Sequence, residues 1–286
     1  MNNNLPSWLE KHINIFDNDQ IHHAFIISGS KGIGKSLLIE TLAEKILNNK
    51  ISLENNPDFH NLRILDEKKL IGINQIHELR DILYESSFLG KNKVAVINEI
   101  EKISIDGLNA ILKILEEPPK NTYFLLSTNF LNQIPLTIQS RCFDLRISSP
   151  EIKQSLEWLS DYQTKDALKA LEITNNLPFK AKHFLDNNLL DARDNFVKDV
   201  SGIIKEGKDI ISISEKWIKD NDTLNLKLEW MSQILSDSIK FHADKSIESL
   251  TSDTDTISKY LSCVASPEKI HTVSYTHLTL PTSDLV

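Results

Sequence analysis

Glycine is scarce in this chain of 286 residues, with eight in all, roughly 3% where about 7% is usual. A chain so sparing with it places it where backbone must turn sharply or approach something closely, and Gly29, Gly32 and Gly34 fall within six positions. Cysteine is scarcer still. Cys142 and Cys263 are too few for a disulfide framework or a cysteine-rich zinc site. No apolar run reaches the roughly 18 residues of a membrane helix. Met1-Asn2-Asn3-Asn4 has no basic stretch ahead of an apolar one, so no secretory signal is read and a reducing cytoplasm is the expected compartment. Only five of the 32 basic residues are arginine. The excess of lysine, isoleucine and asparagine reads as AT-rich codon usage, and an arginine kept against it is more often one whose planar fork is needed. A net charge of −8 argues against a protein that grips DNA alone over a broad basic face, because that affinity comes from Lys and Arg neutralising phosphates.

What is present, 40% hydrophobic and 25% charged residues, fits a globular protein of two to three domains. The first half alternates strand and helix patterns. An amphipathic helix over Leu5 to Phe16 precedes a strand, His23 to Ser28. A helix over Lys35 to Asn48 carries Leu38, Leu42 and Ile46 at i, i+4, i+8 spacing. Asn61 to Leu65 reads as a short strand, and Ile73 begins a helix ending near Gly90. Lys93 to Asn98 reads as a buried parallel strand. A helix over Ser104 to Glu117 is stopped by Pro118-Pro119, with Ile105, Leu108, Leu112 and Leu115 as its buried stripe and Asn109, Lys113 and Glu116 on the opposite face. Strands over Tyr123 to Ser127 and Cys142 to Ile147 complete the pattern, which predicts a parallel sheet covered on both faces. After Pro150 the strand-like runs vanish and amphipathic helices follow, for example Ile152 to Leu159, Thr164 to Ile173 and Leu224 to Phe241. The expected plan is a nucleotide-binding domain over 1–149, a helical subdomain over 150–205 and a second helical region over 206–271. The last stretch, 272–286, has no Lys, Arg or Glu and no helical period; it resembles the in-frame translation of a sequencing adapter and is set aside from fold reasoning.

Gly29-Ser30-Lys31-Gly32-Ile33-Gly34-Lys35-Ser36 satisfies the P-loop pattern in full, straight after an apolar strand and at the start of a helix. Glycines let successive N–H groups turn inward around phosphate oxygens, and the helix N-terminus adds a favourable field. Lys35 would reach the β- and γ-phosphates of ATP and the Ser36 hydroxyl would ligate magnesium. The second strand normally ends in an aspartate that supports the metal; Asn98 stands there, and an amide brings no charge to a divalent cation. Glu99 is then either the residue that activates water or a solvated loop acid. The pattern points to nucleotide binding without rapid hydrolysis.

The run Asn109-Ala110-Ile111-Leu112-Lys113-Ile114-Leu115-Glu116-Glu117-Pro118-Pro119, followed by Thr122 to Asn129 and then Ser140-Arg141-Cys142, resembles the clamp-loader branch of the AAA+ ATPases and, within it, the delta-prime family of bacterial DNA polymerase III. The resemblance spans roughly residues 5–150 and fades through the helical part. It implies an α/β P-loop (AAA+) parallel sheet with helices on both faces, an all-α lid subdomain, and an all-α oligomerisation collar that would be cut short before the adapter-like tail. It implies that Arg141 projects into the ATP site of a neighbouring subunit as an arginine finger, which demands a permanent charge and a fork matched to phosphate. Asn129 would be a sensor of the γ-phosphate, with a plain turn-forming asparagine as the competing explanation. The implied partners are gamma/tau and delta subunits in a hetero-pentamer, the sliding clamp, and primed DNA through the complex, with no membrane. The chain would then be a non-polymerising part of the DNA-directed DNA polymerase III holoenzyme, a nucleotidyltransferase complex, and at most a weak ATPase. Asn48 to Asn61 contains no cysteine, so the zinc module of many relatives is not expected, and Asn176-Leu177-Pro178-Phe179-Lys180 offers no arginine to sense nucleotide. Whether ATP with magnesium is bound stays open at this point. An autonomous AAA+ ATPase, such as the motor subunit of the same loader, is the alternative; a small P-loop kinase would leave Ser140-Arg141-Cys142 and the helical half unexplained.

Overall fold

The computed structural model describes residues 5–14, 22–65, 68–244 and 251–273. Of the stretch 272–286 set aside above, Thr272 and Val273 belong to the last helix and the rest lies outside the described residues. The chain divides into two compact units, one of residues 1–158 with 177–180 and one of residues 159–176 with 181–286.

In the first unit β1 (Ala24–Ser28), β2 (Phe59–Leu62), β3 (Lys93–Ile97), β4 (Thr122–Thr128) and β5 (Phe143–Arg146) form a parallel sheet in the order β2-β3-β4-β1-β5. Side chains alternate between the two faces of a strand, and both faces here are apolar. Phe25, Ile27, Val94, Val96 and Leu125 pack under α1 (Ser7–Ile13) and α2 (Lys35–Leu47), using Trp8, Leu9, Leu38, Leu42 and Ile46. Ala24, Ile26, Ala95, Ile97, Phe124 and Leu126 pack under α3 (Ile73–Tyr84) and α4 (Ile105–Glu116), using Ile76, Leu79, Leu83, Ile111 and Leu115. This two-sided burial is why the central strands read as continuous hydrophobic runs. It also sends the C-terminal ends of β1, β3 and β4 to one edge, where parallel α/β sheets place their ligands.

Several elements differ from the expected bounds. α1 begins after Pro6 and not at Leu5, and its expected end at Phe16 lies outside the described residues. β2 starts two residues early because the Asn56 side chain accepts the Asp58 N–H, closing a turn that releases the chain into the sheet at Phe59. α3 stops at Tyr84, not near Gly90. The buried Lys93 ammonium takes the carbonyls of Leu83 and Glu85, and the Asp58 carboxylate holds Ser87 Oγ and the N–H groups of Phe88 and Leu89. On α4 the buried line is Gly107, Ile111, Ile114 and Leu115. Ile105 is 80% exposed, and Leu108 and Leu112 are only partly buried; at about 100° per residue Ile105 lies far off that line. Asn109, Lys113 and Glu116 are exposed as expected. A short α5 (Leu136–Gln139) precedes β5, and α6 (Ile152–Trp158) closes the continuous part of the unit.

The second unit is helical among the described residues: α7 (Thr164–Ile173), most of α8 (Pro178–Asp186), α9 (Leu189–Glu206), α10 (Ile210–Lys219), α11 (Asn221–Ala243), α12 (Asp255–Val264) and α13 (Pro267–Val273). Phe184, Phe196 and Trp230 are fully buried and meet ring to ring. Arg193, with no exposed surface, lies 5.3 Å from the Trp230 ring and makes a two-pronged ion pair with Asp253 at 2.8 and 2.9 Å. No helix among the described residues is long and apolar enough to cross a membrane.

Candidate functional site

β1 ends at Ser28 and the chain turns through Gly29 to Gly34 into α2. Gly32 and Gly34 have φ of +92° and +107°, a region that side-chain-bearing residues avoid. A Cβ on Gly34 would fall 2.6 Å from Phe179 Cε2, and one on Gly32 would fall 2.9 Å from Lys180 Cβ. The loop is therefore gripped from outside. The Trp8 indole donates to Ile33 O at 3.1 Å, and the Phe179 N–H donates to Gly32 O at 3.1 Å. In a planar trans peptide the N–H points opposite to the carbonyl, so tying Ile33 O to Trp8 turns the Gly34 N–H to the inner side of the loop. Trp8, Trp158 and Phe179 back this grip as an aromatic cluster, with centroids 4.5 to 6.4 Å apart.

Lys35 begins α2 and its ammonium folds back into the loop, donating to Gly29 O at 2.7 Å, Ser30 O at 3.1 Å and Asn129 Oδ1 at 2.8 Å. Burial lowers its pKa to about 8, against the opposing charges of Glu101 and Glu99 and with a further push from Lys31. Ser36 is exposed at the next position, as are Ser30 and Lys31 in the loop. A cleft of about 860 Å³ opens beside the loop, with Ser28, Gly29, Ser30, Asn129 and Arg146 in its wall.

Asn129 follows β4 and joins three parts of this edge. Besides accepting from Lys35, it donates its backbone N–H to Glu101 Oε1 at 3.0 Å and its amide to Glu99 Oε1 and Glu101 Oε1, each at 3.2 Å. Glu99, at φ +54°, anchors its N–H on Ser127 Oγ at 3.1 Å and pairs with Lys102 at 2.7 Å. Burial pushes the Glu99 pKa up, but the hydrogen bonds from Lys102 and Asn129 and the charges of Lys102 and Lys31 outweigh it and hold the carboxyl below its usual range. Asn98 makes no direct hydrogen bond to Lys35, Asn129, Glu99 or Glu101. Its amide meets that of Asn61 at 3.1 Å, and Ser127 Oγ lies 3.5 Å from its carbonyl.

Sequence reasoning did not single out Glu101. No spacing rule marks it, because it reaches Asn129 through a 3-10 turn over Ile100–Lys102. Its second carboxylate oxygen is buried with no hydrogen-bond partner among the described residues. Asn98 thus lacks charge, but the site as a whole holds two carboxylates against Lys35.

Arg141 is not joined to this group by any hydrogen bond or ion pair. It follows α5, with Nη1 donating to Thr137 O at 2.7 Å and Ser140 Oγ at 3.2 Å, and Nη2 pairing with Glu116 Oε1 at 2.6 Å. Its side chain is 35% exposed. Next to it the Cys142 thiol is part-buried, and burial pushes its pKa up to about 12.

Comparison with known proteins agrees with this architecture. A family model described as DNA polymerase III, delta subunit, matches residues 5–151, and one described as DNA polymerase III, delta subunit, C terminal, matches residues 187–280. The DNA polymerase III subunit delta' of Buchnera aphidicola subsp. Schizaphis graminum is 31% identical over 250 residues, 81% of this chain and 75% of that one. The delta' subunit of Haemophilus influenzae is 27% identical over 242 residues, 79% and 73% of the two chains. The gamma subunit of the same Buchnera is 31% identical over 214 residues, covering 62% of this chain and 56% of that one. A crystallised gamma subunit-related protein of Thermotoga maritima, 16% identical, superposes with a TM-score of 0.52 over 98% of this chain and 95% of that one, a likeness of fold. The chain belongs to the delta-prime family of DNA polymerase III subunits, within the clamp-loader group.

Proposed function

We propose that this chain works in a bacterial clamp loader by lending Arg141 to the ATP site of a neighbouring subunit. In a hetero-pentamer with gamma/tau and delta subunits it would thereby help load the sliding clamp onto primed DNA. The observation that carries the reading is the placement of Arg141. It is partly exposed, braced by Thr137, Ser140 and Glu116, and takes no part in its own phosphate-loop network. A permanently charged, partly exposed fork outside its own phosphate loop suits a phosphate supplied from elsewhere.

Its own loop has the means to hold a nucleotide. The Gly34 N–H and the Lys35 ammonium suit phosphate oxygens, and Ser36 at the head of α2 would hold magnesium. ATP with magnesium, when bound, supplies a transferable phosphoryl group. The residues present favour binding over turnover: Asn98 brings no charge, and Glu99 is an ionised acid tied to Lys102 and Asn129, a poor proton acceptor.

The deciding experiment is reconstitution with gamma/tau and delta, measuring clamp- and DNA-stimulated ATPase. Arg141→Ala should remove about a thousandfold of the turnover at the adjoining site, seen in the complex as loss of that site's share. An unchanged rate would refute the assignment. The intact Gly29–Ser36 pattern favours a second reading, an autonomous motor ATPase, which would require the isolated chain to turn over ATP as fast as the motor subunits.

A further inference from the structure

The partner of Arg141 is as informative as the arginine. Glu116 is the last residue of α4, where the partial negative charge of a helix C-terminus disfavours a carboxylate. That helix end is pinned. His23 Nε2 bonds to Leu115 O at 3.1 Å, Tyr84 OH donates to Glu117 O at 3.0 Å, and Ile111, Ile114 and Leu115 are buried against the sheet. Glu116 is therefore a carboxylate on a fixed support, spent on a guanidinium from another element.

A guanidinium has five N–H donors. Thr137 O and Ser140 Oγ accept from Nη1, and Glu116 Oε1 forms an ion pair with Nη2 at 2.6 Å. The Nε–H has no hydrogen-bond partner among the described residues and is left to meet a phosphate oxygen. Both side chains are partly exposed, at 35% and 42%, so the pair is screened by water and orients the arginine without trapping it.

We infer that Glu116 is the positioning residue of Arg141: from α4 it holds the Nη2 end of the guanidinium, leaving the Nε–H free for a phosphate oxygen. The inference rests on the reading of Arg141 as a finger in trans.

The test is the reconstituted loader carrying Glu116→Ala, Glu116→Gln or Arg141→Ala, with ATPase measured across ATP concentrations. Glu116→Ala should lower turnover at the adjoining site about tenfold, as a misplaced catalytic group does, read in the complex as loss of most of the share that Arg141→Ala removes, with KM for ATP unchanged. Glu116→Gln, whose amide oxygen can still meet Nη2, should stay near the wild-type rate, and Glu116→Ala should add nothing to Arg141→Ala. A Glu116→Ala rate at or above wild type, with Arg141→Ala impaired, overturns the positioning role and leaves the finger standing. An Arg141→Ala rate equal to wild type overturns the finger itself. In the free full-length chain, nitrogen NMR of the Arg141 side chain should show guanidinium rotation slowed in wild type and Glu116→Gln and fast in Glu116→Ala. Equal rotation in all three means that no hold exists, and also overturns the inference.

Discussion

Lys35 reaches Asn129 across the gap between the ends of two adjacent strands, ammonium to amide oxygen at 2.8 Å. Asn129 in turn is held on its donor side by Glu99 and Glu101. The phosphate-loop lysine is thus wired to two carboxylates through one amide, and anything that draws Lys35 toward a phosphate is felt at Glu99.

This wiring predicts a pH dependence. Burial brings Lys35 down to about 8, so its ammonium is intact below that pH and is lost above it. Binding of a fluorescent ATP analogue to the free chain should be level up to about pH 7 and then weaken by up to about tenfold per pH unit beyond 8. Lys35→Ala should bind poorly throughout. Level wild-type affinity from pH 7 to 9.5 would contradict the assignment of Lys35 to phosphate. For folding the sign is opposite: between 8 and the ordinary lysine value the unfolded chain holds a proton that the folded one has shed, so this group's contribution to stability rises with pH over that window.

In the helical unit, Arg193 and Asp253 form a buried pair whose loss should be severe. Asp253→Asn leaves a fully buried guanidinium uncompensated, which should cost about 3 kcal/mol, read as a fall in the urea midpoint of the full chain. Burial pushes the Asp253 carboxyl up, but the hydrogen bonds and charge of Arg193 hold it below its usual range. Its stabilisation is therefore present above the unfolded value near 3.9 and is lost as pH falls through the lower folded value. A variant as stable as wild type would show that the pair is dispensable.

Trp8→Phe keeps most of the ring packing and deletes the indole donor to Ile33 O. It should cost about 1 kcal/mol and, by freeing that peptide to rotate, weaken nucleotide binding more than it lowers the melting temperature. Equal effects on both would mean that Trp8 only packs.

The two thiols should separate cleanly. Cys142, with a pKa near 12, should resist a thiol reagent in the native chain at pH 8, whereas the exposed Cys263 should react at once. Counting reacted thiols before and after denaturation checks this, and two fast thiols in the native state would contradict the burial of Cys142.

Much of the sheet was legible because its strands are buried on both faces and its phosphate loop has a spacing with a mechanism, Gly29 to Ser36. The exact ends were not. The end of α3 is set by side chains distant in sequence, Asp58 and Lys93, whose reach leaves no local pattern, whereas β2 begins at a turn closed by Asn56. The stripe of α4 was misjudged because Ile105 is apolar and at helical spacing yet faces solvent. Asn98 and Asn129 were visible as residues at strand ends, but Glu101 became visible only once a 3-10 turn brought it to Asn129. Arg141 stood out by its rarity and its neighbours, while its tie to Glu116 is a matter of tertiary placement alone.

The chain leaves the sheet unit after Trp158 and returns to it for only four residues, Leu177–Lys180. Those four supply the N–H that holds Gly32 O and the ring that fills the space against Gly34. The smallest fragment that keeps the phosphate loop in shape therefore cannot be cut at the apparent boundary: ending at residue 158 would strip a ring from Trp8 and Trp158 and leave a loop carbonyl unclaimed. A minimal fragment that keeps this loop in shape has to run through residue 180, carrying α7 as an excursion it cannot omit.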